Sequence, residues 1–195
     1  MKAQTESGTK LAPTEGRKGH LIGLIASRLG GHFIEKAQAG LFEDQIVIPR
    51  LFLTEVLAFL QQDPDANLRL LVDISALENQ QGALEIVYRL RSPRLGYRLR
   101  ASLLLPPDDL VVPSIVRLYR GADWLERELW EMFGIYPDGH PHLRPLLLYP
   151  GFSAAPLRKS FSQGQELPLV GPRALSTAAK QSSALDEDNA PHTGS

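Results

Sequence analysis

Apolar positions along the chain fall into a series of helix and strand periods framed by two polar ends. His20 to Leu29 places Leu21, Leu24, Ile25 and Leu29 on one side of a helix, and Gly30-Gly31 stops it. Short strands are predicted near His32 to Ala37 and Asp44 to Ile48. Pro49 then opens a second helix whose apolar stripe is Leu53, Val56, Leu57 and Leu60. Leu68 to Ile74 is a continuous apolar run, the pattern of a buried central strand. Leu84 to Arg91 and Tyr97 to Leu105 alternate, and Ser92-Pro93-Arg94-Leu95-Gly96 supplies hairpin chemistry between them. Pro106-Pro107 ends the last strand, and the short apolar piece Val111 to Tyr119 leads into a third helix over about Ala122 to Phe133. The class this predicts is α+β: a mixed or antiparallel sheet of about four to five strands covered by helices, followed by an extended Pro-rich C-terminal segment.

Organisation follows from the same pattern. Residues 1–18 read as a flexible N-terminal arm, 19–134 as the α+β domain, 135–170 as an extended segment that docks on a partner, and 171–195 as a disordered tail. Past Gly134, Pro137, Pro141, Pro145, Pro150, Pro156 and Pro168 forbid long helices, while Leu146, Leu147, Leu148, Tyr149 and Phe152 stay apolar. Such a segment needs a surface to lie on, its own domain's or a neighbour's.

Composition narrows the chemistry. The 195 residues carry a net charge of -1, which gives no global push toward nucleic acid or anionic lipid. There are no cysteines, so disulfides, thiolate zinc sites, cysteine nucleophiles and four-cysteine iron–sulfur clusters are excluded. No run approaches the roughly 20 apolar residues of a membrane helix, so any membrane contact is expected to come through a partner.

The third helix concentrates the candidate chemistry. Asp123 is placed to cap it, with Glu126 three residues on in a capping-box-like pair. Leu125, Leu129, Met132 and Phe133 give one apolar face, with Trp124 and Trp130 to its sides, and Arg127 and Glu131 form an i, i+4 pair. The pattern reads as an amphipathic helix with a solvated charged face. Glu126 and Glu128 point about 200° apart, so these carboxylates do not converge on one reacting centre. In His140-Pro141-His142 the i, i+2 spacing sends the rings to opposite sides; no metal is predicted, and the histidines are expected to bind backbone carbonyls. Arg89, Arg91, Arg94, Arg98 and Arg100 on the hairpin read as a solvated sheet face, or one meeting an acidic protein, ahead of a phosphate-reading patch. Gly30-Gly31 ends a helix and starts none, so nucleotide binding has no support.

Read as text, Gly121-Ala122-Asp123-Trp124-Leu125-Glu126-Arg127-Glu128, Met132-Phe133-Gly134-Ile135, Gly139-His140-Pro141 and Leu143-Arg144 resemble the C-subunit family of NADH-quinone oxidoreductase (respiratory complex I), with relatives in hydrogenase and formate hydrogenlyase complexes. Pro156-Leu157-Arg158-Lys159 looks like the family's later basic element, and the resemblance covers about Gly19 to Phe161. Glu131 stands where the family usually has Asp, Pro137 where an aromatic is common, and Ala155 and Ser160 where His and Asp are usual. The resemblance implies a structural, non-catalytic member of the peripheral arm, on the cytoplasmic side of a bacterial inner membrane. It implies a chain with no cofactor of its own, while NADH, FMN, iron–sulfur clusters and quinone belong to the whole complex. The implied chief partner is the D-like subunit that helps form the quinone cavity. The implied contact residues are Glu126, Arg127, Glu128, Phe133, Gly134, Gly139, His140, Pro141, Leu143, Arg144, Leu157, Arg158 and Lys159.

Overall fold

The computed structural model describes residues 18–149, 152 and 154–161; the expectations for the N-terminal arm and the tail from residue 171 lie outside them. Helix α1 is His20–Arg28 and α2 is Leu53–Gln62; both turn an apolar stripe to the core, Leu21 and Ile25 from α1, Leu53, Val56, Leu57 and Leu60 from α2. Each such side chain contributes about 1.5–3 kcal/mol on burial, so the α2 stripe alone is worth roughly 6–12 kcal/mol before entropy is counted. A single 3-10 turn, Arg50–Phe52, lies between Pro49 and α2.

Strands β1 (Lys36–Gln38), β2 (Asp44–Val47), β3 (Leu70–Glu78), β4 (Leu84–Arg91) and β5 (Arg98–Leu105) form one sheet in the order β1-β2-β5-β4-β3. All neighbours are antiparallel except β2 and β5, so the sheet is mixed. Two expectations change here. Gly31–Phe33 is a 3-10 turn, so the first strand begins only at Lys36. The apolar run Leu68 to Ile74 lies at the sheet's edge, not its centre; Leu70 and Val72 are exposed, and a bulge between Leu71 and Asp73 shifts the register. The most enclosed strands are β4 and β5, where Leu84, Ile86, Tyr88 and Leu90 face Leu99, Ala101, Leu103 and Leu105 on one side. Those residues join Ile46, Ile48, Ile74, Ala76 and the stripes of the helices in one core cluster, so the helices all cover the same face.

The hairpin between β4 and β5 closes as its residues dictate. Ser92 Oγ accepts the Leu95 N–H, the Gly96 N–H bonds the Ser92 carbonyl, and Gly96 takes a left-handed φ of 76°. Beyond the sheet, β6 (Val111–Pro113), α3 (Ala122–Phe133) and β7 (Tyr136–Asp138) form a small unit in which β6 and β7 pair parallel across the helix. Tyr119 ties this unit to the domain by donating its hydroxyl to the Leu68 carbonyl at 2.8 Å.

Candidate functional site

Helix α3 has the predicted ends but not the predicted faces. Its N-cap is Gly121 and no side chain caps it, so the capping-box expectation fails. Asp123 lies within the first turn, one residue past the helix start, and Glu126 is used elsewhere. Its carboxylate is buried and accepts the Ile115 N–H at 2.7 Å and the Ser114 hydroxyl at 2.7 Å, fastening the preceding turn to the helix. Burial pushes this carboxyl above its usual range, and the two hydrogen bonds oppose that shift. Burial likewise pushes up the Tyr88 phenol, with the charge of Glu126 adding to the effect.

The charged face is not solvated. Glu126, Arg127 and Glu131 are all buried, together with Ala122 and Leu129, while Leu125, Met132 and Phe133 are only partly covered. The i, i+4 pair between Arg127 and Glu131 does not form either. Each reaches instead to the chain after β7, which runs back along the helix as a strap. Arg127 donates from Nε to the Arg144 carbonyl at 2.9 Å and from Nη2 to the Pro145 carbonyl at 2.9 Å; its Nη1 lies 3.7 Å from Asp123 Oδ1. Glu131 accepts the Leu147 N–H at 2.8 Å and the Leu148 N–H at 3.2 Å. One cation therefore satisfies two strap carbonyls, and one anion satisfies two strap amides a few residues on.

His140 supplies the first rung of this ladder. The His142 N–H donates to Nδ1 at 3.1 Å, so Nδ1 is the acceptor and Nε2 carries the proton toward the Asp123 carbonyl at 3.2 Å. Both ring nitrogens are thus engaged, and the side chain is fully buried. Asp123, Arg127 and Glu131 recur every four residues, a single stripe of α3 that the strap follows from His140 to Leu148. Two glycines make the path possible: Gly134 at φ 75° ends the helix with its N–H on the Trp130 carbonyl, and Gly139 at φ 77° turns the chain back.

The later basic element closes the strap on the sheet. The Leu157 N–H bonds the Met132 carbonyl at the end of α3. Arg158 donates to Glu78 at 3.1 Å and to the Gly82 carbonyl at 3.2 Å; the Lys159 N–H reaches the same Glu78 at 2.6 Å, and its Nζ the Asn79 carbonyl at 3.2 Å. Residues 80 positions apart thereby join the end of β3 to the end of the strap.

Of the residues singled out from sequence, the structure gathers Glu126, Arg127, His140, Arg158 and Lys159 into intrachain bonds, with Gly134 and Gly139 as turns. Arg144 contributes its carbonyl while its side chain stays exposed; Glu128, Pro141 and Leu157 are exposed, and Leu143 and Phe133 are partly covered. Ser114 and Glu78 were missed: a lone serine and a strand-end glutamate carry no local signal of a partner in sequence. Trp124, Leu147 and Leu157 remain exposed on this side of the domain. Beside the stripe, Trp130, Glu131, Gly134, Pro145, Leu148 and Tyr149 line part of a cavity of about 290 Å³.

A helix that grips its own strap through backbone groups defines a structural module, with its charged side chains occupied in holding the chain together. Residues 46–166 match the family described as respiratory-chain NADH dehydrogenase, 30 Kd subunit, and the chain belongs to that family. The C subunit of NADH-quinone oxidoreductase from Brucella ovis is 40% identical over 145 residues, 73% of this chain and 71% of that one. Its namesake from Brucella abortus is 39% identical over 145 residues, with the same coverage. A chain of the membrane-bound sulfane sulfur reductase, an archaeal respiratory membrane complex, has the same fold; it superposes with a TM-score of 0.62 at 19% identity, covering 90% of this chain and 96% of that one.

Proposed function

We propose that this chain is the non-catalytic structural C subunit of the peripheral arm of NADH-quinone oxidoreductase, supporting electron transfer from NADH to quinone without taking part in it. The observation that carries this reading is the family match across 46–166, which spans α3, the strap and its latch. The geometry supports the structural part of the role. Glu126, Arg127, Glu131, His140 and Arg158 all end on groups of their own chain, which leaves the exposed Trp124, Leu147 and Leu157 beside them for a neighbour. In this reading the neighbour is the D-like subunit of the quinone cavity. NADH, FMN, iron–sulfur clusters and quinone are held by other subunits, and the chain sits on the cytoplasmic side of the membrane through the complex. No helix among the described residues is long and apolar enough to cross a membrane.

A second reading keeps the fold and changes the machine to a hydrogenase-type or formate hydrogenlyase assembly. The superposition on a chain of another respiratory membrane complex shows that this fold serves more than one machine, whereas the 40% identical relatives favour the first. Affinity capture of the tagged chain from gently solubilised membranes tests both. Co-purification with NADH-oxidising, quinone-reducing activity supports the first, hydrogen- or formate-oxidising activity supports the second, and recovery only as a free monomer overturns both. Arg127→Ala, which frees two strap carbonyls, is expected to lower the yield of assembled complex while the surviving complex keeps its quinone affinity.

A further inference from the structure

The sheet face opposite the helices carries a charge arrangement that the domain itself only partly neutralises, with Glu85 and Asp73 set against four arginines. Arg91 stands directly across from Arg98, and Arg89 from Arg100, on adjacent antiparallel strands. Like charges in directly opposed positions, with Cβ atoms about 4.5–5.5 Å apart, destabilise a sheet. Among the described residues, Arg100 is the one of these four that makes hydrogen bonds, to Glu85 at 3.0 Å and the Gln45 amide oxygen at 3.4 Å; Asp73 stands across from Arg89 without an ion pair to it. Arg89, Arg91 and Arg98 are exposed and make no hydrogen bond or ion pair among the described residues. Apolar side chains lie at both ends of the same face: Leu70 opposite Arg91, and the exposed Leu77 and Leu104 flanking Glu85 at the other end.

We propose that this face is the docking site of the chain's own acidic segment, Leu185-Asp186-Glu187-Asp188. Three observations select that occupant. Its chemistry matches: three consecutive carboxylates meet the guanidiniums of Arg91 and Arg98, which face each other, and of Arg89, which has Asp73 across from it but no ion pair to it, and the planar fork of arginine suits carboxylate. Its origin matches: Lys159 and Arg158 fix the end of the described chain to Glu78, Asn79 and Gly82, at the turn from which β4 leaves toward Arg89 and Arg91. Its reach is ample. From the start of β4 to Arg91 is roughly 24 Å at about 3.3 Å per residue, about eight extended residues, and residues 162–184 lie between the latch and the acidic segment. Tethering raises the local concentration of the segment far above that of any free acidic protein. The docked segment shields the face by charge contacts that salt weakens, and an assembly partner with a stronger acidic surface displaces it. This inference is independent of which complex the chain serves.

The absence of cysteine makes a direct test clean, because Asn189→Cys places a single nitroxide beside the acidic segment of the full 195-residue chain. At low ionic strength the amide signals of Arg89, Arg91 and Arg98 should lose intensity, and those on α1 and α2 should not. The intensity should return at about 1 M salt, where the Debye length is about 3 Å. The same label on an Asp186→Asn/Glu187→Gln/Asp188→Asn background should leave β4 and β5 signals intact; unshifted core signals will show that the domain is folded. Full intensity on the outer face at low salt overturns the proposal, as does broadening that survives charge neutralisation. Protection of the face only on addition of a separate acidic protein overturns it too, and assigns the face to that partner.

Discussion

Removing the carboxylate of Glu131 should release the middle of the strap and leave the domain folded. Glu131→Ala deletes two hydrogen bonds to backbone amides, 2.8 Å to Leu147 and 3.2 Å to Leu148. A hydrogen bond to a charged group contributes about 1.5–3 kcal/mol. Water returns part of that here, since Leu147 is 61% exposed and its freed amide can be rehydrated. The net loss is therefore set at about 2 kcal/mol, and it falls on local opening of the strap because Arg127 and the Arg158 latch still hold its two ends. Native-state amide hydrogen exchange reads this quantity at the two residues concerned. At about 1.36 kcal/mol per decade, the Leu147 and Leu148 amides should exchange about 30-fold faster than in the parent, with the amides of β4 and β5 unchanged. Glu131→Gln keeps one acceptor oxygen and should fall between. Rates at 147 and 148 that match the parent would refute the view that this carboxylate clamps the strap; equal acceleration everywhere would show that it supports global stability instead.

Three further outcomes follow from the same geometry. The buried Glu126 holds its proton more tightly in the folded chain than in the unfolded one, whose value is near 4.5, so its contribution to stability is greatest below that value and declines as pH rises toward the raised folded one. Subtracting the urea stability of Glu126→Gln from that of the parent across this window should expose the slope, and a flat difference would contradict it. Arg158→Ala removes the bonds to Glu78 and Gly82 from a pair whose side chains are only 15% and 6% exposed, and should cost about 2 kcal/mol. A double-mutant cycle with Glu78→Gln should give a coupling of about 1 kcal/mol, and near-zero coupling would mean the latch does not act as a pair. Tyr119→Phe leaves the Leu68 carbonyl without its donor and should lower the melting temperature by about 2–4 °C, for about 1 kcal/mol in a domain of this size.

Where local periodicity decided an outcome, the sequence was readable. The α2 stripe, the Ser92 to Gly96 hairpin and both ends of α3 lie where spacing and turn residues place them, because each is set by neighbours within a few positions. The role of β3 was not readable. A run such as Leu70-Leu71-Val72 looks buried on both faces, yet one bulge redirects its side chains and the strand ends up at the edge. The faces of α3 were misjudged for a related reason. A helix with Asp123, Glu126, Arg127, Glu128 and Glu131 reads as half solvated until the strap is laid over it. The covering residues come from a later, Pro-rich stretch with no period of its own. Two signs were present in the sequence: the i, i+4, i+8 spacing of Asp123, Arg127 and Glu131, and an apolar segment that needed a surface.

The clasp on α3 recognises main chain. Arg127 and Glu131 hydrogen-bond to carbonyls and amides of 144–148 and to no side chain there, so the identity of the strap residues is largely invisible to the helix that holds them. Leu143, Arg144, Leu146 and Leu147 can therefore change to suit whatever surface lies opposite without loosening their own anchorage. The exception is proline at 147 or 148, which would lack the hydrogen that Glu131 requires. A single scaffold can in this way be refitted to different neighbours by drift in a few exposed letters, with the fold itself left untouched.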